Sequence, residues 1–238
     1  MGGCCRPGDY DKLFDEKNAR AKAREYARKG LNDDAQRIVD FVRGRLSPGY
    51  SVLEVGGGVG AIQLELLRDG AARAVNIELA TRYETVAAEL IRERGLGERV
   101  ERRLGDFVRE SGVIPGADVV VMQRVVCCYP DADALVGAGA DVVIMQRVVC
   151  CYPDVDALVG AAADHARRLL LLTFPVERWW IRVGLAAENA LFRLRGSTFR
   201  SFVHSTAAVL AVAQRHGMRV ADHHRGLIWQ VVAFERTG

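Results

Sequence analysis

The sequence predicts an α/β fold: a doubly wound, mostly parallel sheet of seven strands whose last strand is antiparallel. Three observations carry that expectation. From residue 50 onward, short runs rich in β-branched residues alternate with helix-length amphipathic stretches. A glycine cluster, "GGGVG" at 56–60, turns the first of those runs directly into a helical pattern. At the far end "MRVADHH" and "LIWQVVAF" are separated only by a turn at Arg225 and Gly226, a connection that two antiparallel strands can use and two parallel ones cannot.

The elements follow in order. A polar, Ala- and Lys-rich stretch over 11–29 reads as a helix closed by Gly30. Asn32 caps a second helix, with Ala35, Ile38, Val39, Val42 and Leu46 at helical spacing, and "SPG" at 47–49 stops it. "YSVLEV", "AARAVNIELA" and "RVERRLGDF" are the first three strands. Between them lie the helices "AIQLELLRDG" and "TRYETVAAELIRERG", the latter opened by a capping box from Thr81 to Glu84. "RLLLLTFP" is the fifth strand, and Ser205 caps the last helix, "STAAVLAVAQRHG". Residues 1–46 form a helical arm and 47–238 the main domain.

The fourth strand is written twice. Residues 116–138 and 139–161 are a tandem duplication in which 21 of 23 positions are identical. The second copy is followed by a helix long enough to recross the sheet. Between the two strand segments stands only "DADALVGAG", too short for a regular parallel crossover. The expectation is that one copy is extruded and that the second supplies the fourth strand. Two units are also too few for a stacked-repeat architecture.

Composition excludes several classes. The chain has 238 residues and a net charge of +3, too small to argue for a nucleic-acid partner. No apolar run is long enough to span a bilayer, and the N-terminal residues lack the apolar core of a secretory signal, so a cytoplasmic protein without stable membrane insertion is expected. The six cysteines stand in three adjacent pairs without metal-ligand spacing, so they read as reduced thiols and no metal is expected.

The glycine loop and the acids around it carry the chemistry. Gly56, Gly57, Gly58 and Gly60 lie at the carboxyl end of the first strand, where bare backbone and the free amides of the next helix can meet a ligand. Glu54 precedes them. Glu78 closes the second strand, followed by Leu79, at a place where a carboxylate can accept from ribose hydroxyls. Gly105, Asp106 and Phe107 close the third, where the acid can accept from an adenine amino group and the ring can pack on its face. The same glycines also satisfy a nicotinamide-dinucleotide fingerprint. Against that reading, Glu54 would repel a pyrophosphate, and no Tyr-x-x-x-Lys pair follows the fourth strand.

These residues resemble the class I S-adenosylmethionine-dependent methyltransferases, in particular a bacterial small-molecule branch and, more remotely, the magnesium-protoporphyrin O-methyltransferases. The resemblance covers roughly 30–238 and rests on Glu54-x-Gly56-x-Gly58-x-Gly60, Glu78 and Gly105-Asp106-Phe107. It implies a Rossmann-like sheet, S-adenosylmethionine held at these residues, and methyl transfer to the oxygen or nitrogen of a small, lipophilic or aromatic acceptor. It also implies cofactor contacts from Tyr10 (with Lys12 beside it), Gln146 and Arg147. A module that binds the cofactor without turnover is the main alternative, and an oxidoreductase a lesser one.

On the acceptor side, 176–204 is too long for a plain connection and reads as a substrate cap or lid. Trp179, Trp180, Val183, Ala187, Leu191 and Leu194 can share one helical side there, with Trp180 and Tyr152 as candidate substrate contacts. His204, just ahead of the last helix, is the candidate base. A homodimer is compatible with the apolar duplicated segment.

Overall fold

The computed structural model describes residues 15–107, 116–123, 139–196 and 199–238, which fall into two compact units divided after Gln123. Tyr10, Lys12 and the cysteines at 4, 5, 127 and 128 lie outside the described residues.

In the first unit, helices α1 (Glu16–Lys29) and α2 (Asp33–Val42) precede strand β1 (Ser51–Val55). Then come α3 (Ala61–Arg68), β2 (Arg73–Glu78), α4 (Glu84–Glu93), β3 (Val100–Leu104) and β4 (Val119–Gln123). The strands lie in the order β3-β2-β1-β4, every pair parallel. Asn32 caps α2 as expected, its Oδ1 accepting from the Ala35 amide at 2.9 Å. α2 turns Ala35, Ile38, Val39 and Val42 into the core and ends at Val42, short of Leu46. α1 begins at Glu16 behind an Asp15 cap. The start of α4 differs from the capping-box expectation. Thr81–Tyr83 form a 3-10 turn, and the Glu84 carboxylate forks onto Arg102 of β3 (2.7 Å at its closest). A charged guanidinium outcompetes a backbone amide for that carboxylate.

The second unit holds β5 (Ala140–Gln146), α5 (Val155–His165), β6 (Ala166–Pro175), α6 (Trp179–Leu194), α7 (Thr206–Arg215), β7 (Met218–Arg225) and β8 (Trp229–Arg236). β5 runs parallel to β6, whereas β6 with β8 and β7 with β8 are antiparallel. The predicted closing hairpin is thus present, and Ser205 caps α7.

The described residues therefore contain eight strands, not seven, because both copies of the duplication are strands. Copy one is β4 against β1, and copy two is β5 against β6, so the extrusion of copy one is overturned. Identical residues take different partners in the two places. Asp118 of copy one accepts from the amide and hydroxyl of Ser51 (2.8 and 2.7 Å), whereas its counterpart Asp141 pairs with Arg167 (2.8 Å). The physical reason is burial: each copy is an apolar run, and Val119–Met122 and Val142–Met145 are both wholly buried. Displacing either run into water costs more than the short connection does.

Candidate active site

The glycine loop follows β1 as the sequence implies. Gly56, Gly58 and Gly60 have φ of +68°, +60° and +80°, a region closed to most side chains. Space forbids a side chain as firmly. A Cβ on Gly57 would stand 2.4 Å from the Glu54 carboxyl carbon, and one on Gly58 would stand 2.9 Å from the Tyr83 ring. The backbone between β1 and α3 is therefore bare, which is what a ligand approaching main-chain amides requires. Gly58→Ala should lower stability by about 1–2 kcal/mol through the left-handed backbone alone, read as a lower urea midpoint, and should weaken cofactor binding with it.

Glu78, at the tip of β2, is the organising group. Its Oε2 accepts from the Gly58 amide (2.8 Å), and its Oε1 accepts from the amides of Leu79 (2.9 Å) and Ala80 (3.0 Å). It is nearly buried, so the carboxylate ties the glycine loop to β2. An ionised carboxylate has about four acceptor positions, and three are taken here by backbone amides. One remains, on Oε2, where the sequence reading expected two ribose hydroxyls to be received. Gly105 follows β3, its amide donating to the Glu78 carbonyl at 3.1 Å, with Asp106 half-buried and Phe107 buried beyond it. The bare loop, the open acceptor position and the buried aromatic ring at successive strand ends suit an adenosyl group, and these residues fit the implied cofactor.

Glu54 is placed otherwise than expected. Its side chain is fully buried below the loop instead of facing a ligand. Gln123 Nε2 donates to it at 2.6 Å and Asn76 Nδ2 at 3.1 Å. Burial pushes its pKa up to about 7, against the lowering effect of Gln123, Arg102 and Asn76. Buried below the loop and with its pKa raised to about 7, this carboxyl repels a pyrophosphate less than an exposed carboxylate would, which weakens that argument against a dinucleotide. Arg102, itself nearly buried, adds a bond from its guanidinium to the Gly58 carbonyl (3.3 Å).

Sequence reasoning missed Asn76, Arg102 and Gln123. Asn76 carried a signal: a polar residue between Val75 and Ile77, directly opposite Glu54 in the β1–β2 register. Gln123 belongs to copy one, whereas the sequence expectation falls on its counterpart Gln146 in copy two. Gln146 is buried in the second unit.

The cofactor candidate Arg147 and the acceptor-side candidates share that second unit. Arg147, just past β5, has φ +57°, and its guanidinium lies 4.5 Å from the Trp229 ring centre. Tyr152 is buried, and its carbonyl accepts from His204 Nε2 at 2.8 Å. Phe202 stacks beside His204, with ring centres 6.0 Å apart, and its amide donates to the Cys150 carbonyl (2.7 Å). Tyr152, His204 and Phe202 thus form one cluster. Trp180 is on α6, with the Arg178 guanidinium 6.0 Å from its ring centre.

A parallel sheet, a glycine turn after β1 and an acid at the tip of β2 are common to dinucleotide-binding folds and class I S-adenosylmethionine-dependent methyltransferases, and the family comparison places this chain with the methyltransferases. The chain belongs to the O-methyltransferase domain family, which it matches over residues 10–136, just over half its length. It is an O-methyltransferase with S-adenosylmethionine as donor. Among solved structures it is similar to magnesium protoporphyrin IX methyltransferase from Synechocystis with bound S-adenosylhomocysteine. That match has 17% identity and a TM-score of 0.59, and it covers 98% of this chain and 100% of that one. It is also similar to an O-methyltransferase family 2 protein from Planctomyces limnophilus in complex with apigenin (19%, TM-score 0.54, 93% of this chain, 62% of that one). The mitomycin 7-O-methyltransferase is similar in the same measure (20%, TM-score 0.54, 96% and 60%). No curated protein matches the sequence.

Proposed function

We propose that the enzyme methylates a hydroxyl of a small lipophilic acceptor, with the cofactor held by the first unit and the hydroxyl proton taken by His204. The carboxylate–amide clasp of Glu78 on Gly58, Leu79 and Ala80 carries the cofactor half of this reading. In it, Glu78 receives the ribose, the loop 56–60 lies along the methionine part, and Asp106 and Phe107 hold the adenine. Glu54 acts one step back, as a positioning residue that props the loop from below. When bound, the cofactor supplies an electrophilic methyl on a positively charged sulfur. Loop and strand ends orient it and keep water away, which is most of what an in-line transfer needs.

His204 is suited to the proton. Its Nε2–H donates to the Tyr152 carbonyl, so the neutral ring carries its lone pair on Nδ1. The stack with Phe202 fixes the ring plane. His204→Ala should lower kcat by about a hundredfold or more and leave S-adenosylhomocysteine affinity unchanged. An unchanged kcat would refute the base and point to an acceptor that arrives already ionised, such as a carboxylate.

A further inference from the structure

Helix α6 is turned inside out. Its protein-facing stripe is narrow: Ile181, Leu185, Asn189 and Phe192, of which Ile181 alone is buried. Asn189 pins that side by a two-way bond to the Ser201 backbone (both 2.8 Å). The opposite face is apolar and meets water. Trp179 is 76% exposed, Val183 61% and Leu194 86%, with Trp180 and Leu191 beside them. Just ahead of the helix, Val176 donates to the Ile228 carbonyl, and Leu227 and Ile228 are exposed there too. A monomer leaves so continuous an apolar stripe in water only where something covers it.

Charge selects what covers it. Residues 176–204 hold five arginines (178, 182, 193, 195 and 200) against Glu177 and Glu188, an excess of +3 that equals the net charge of the whole chain. Arg182 and Arg193 fall on one flank of the apolar stripe at helical spacing. A second copy docked there would bring the same arginine excess. An anionic lipid surface offsets it, accepts tryptophan rings at its headgroup level, and needs no complementary pocket.

We infer that α6 lies on an anionic bilayer surface, its Trp179–Leu194 stripe in the headgroup region and its arginines on the lipid phosphates. This is peripheral attachment: among the described residues no helix is long and apolar enough to cross a membrane. It stands independently of the choice of acceptor and base.

Sedimentation of the full chain with phosphatidylcholine vesicles, with and without phosphatidylglycerol, provides the test. Binding is expected only with the anionic lipid and should decline as salt is raised. The pair Trp179→Glu and Leu194→Glu should abolish it, and Arg182→Gln and Arg193→Gln should each weaken it about fivefold. Calorimetry with S-adenosylhomocysteine should be unchanged in all of these variants, so that misfolding or a failed cofactor assignment registers separately. Absence of binding to anionic vesicles overturns the inference, as does equal, salt-insensitive binding to both. A concentration-dependent dimer broken by the same glutamates, without vesicle binding, assigns the stripe to a second copy instead.

Discussion

Glu78→Ala should reduce affinity for S-adenosylhomocysteine at least a hundredfold, the largest single effect expected in the first unit. The substitution removes the proposed ribose acceptor, and a hydrogen bond to a charged group is worth about 1.5–3 kcal/mol. It also strands the amides of Gly58, Leu79 and Ala80, which now share one buried carboxylate. With that clasp gone, the glycine loop loses its tie to β2, and the cost of ordering it passes to the ligand. Glu78→Gln separates the two contributions. Its amide oxygen can still accept from Leu79 and Ala80, but its NH2 then faces the Gly58 N–H. The variant should fold like the wild type and bind with intermediate affinity. Titration calorimetry on the three proteins reads the series directly, and equal affinities would remove Glu78 from the site.

The second large effect is on stability and its pH dependence. Glu54 titrates at about 7 in the folded chain because burial disfavours its charge, and near 4.5 when exposed. Between those values the folded state binds a proton that the unfolded chain has released, so stability falls as pH rises, by about 1.4 kcal/mol per pH unit. Across the window the loss is about 3 kcal/mol; below it the contribution is fully present, and above it no further change comes from this group. Glu54→Gln has no proton to lose. Its urea midpoints should show a flatter slope between pH 4.5 and 7, although one of the donors from Asn76 and Gln123 must then face an amide NH2. Parallel pH curves for the two proteins would show that Glu54 is not the buried acid described.

What could be read in the sequence was whatever is decided locally. The glycines at 56, 58 and 60 announced a bare turn open to a ligand, and their positive φ shows why other residues are barred from it. Asn32 and Ser205 announced helix starts because a short polar side chain satisfies an open amide there. Glu78 and Gly105–Phe107 could be placed because strand ends follow from the strand pattern. What could not be read depends on registers between distant segments. Glu54 is surrounded because Asn76 lies opposite it on β2 and because Gln123 arrives from β4. Asn76 left only a polar residue between Val75 and Ile77 as a sign and Gln123 left none, so Glu54 read as a ligand group although its carboxyl is buried among these donors. The duplication shows the limit most sharply, for Asp118 and Asp141 share one local sequence and part company only through the strands they meet. For α6 the period gave the apolar side correctly, but periodicity does not say whether that side faces the protein or the solvent.

A crystal structure of the complex with S-adenosylhomocysteine tests the central claim most directly. The expected complex has a ribose hydroxyl on Glu78 Oε2, the methionine portion along 56–60, the adenine against Phe107, and Glu54 still buried under the loop with Gln123 and Asn76. A ligand bound elsewhere, or one that leaves Glu78 holding only its backbone amides, would contradict it.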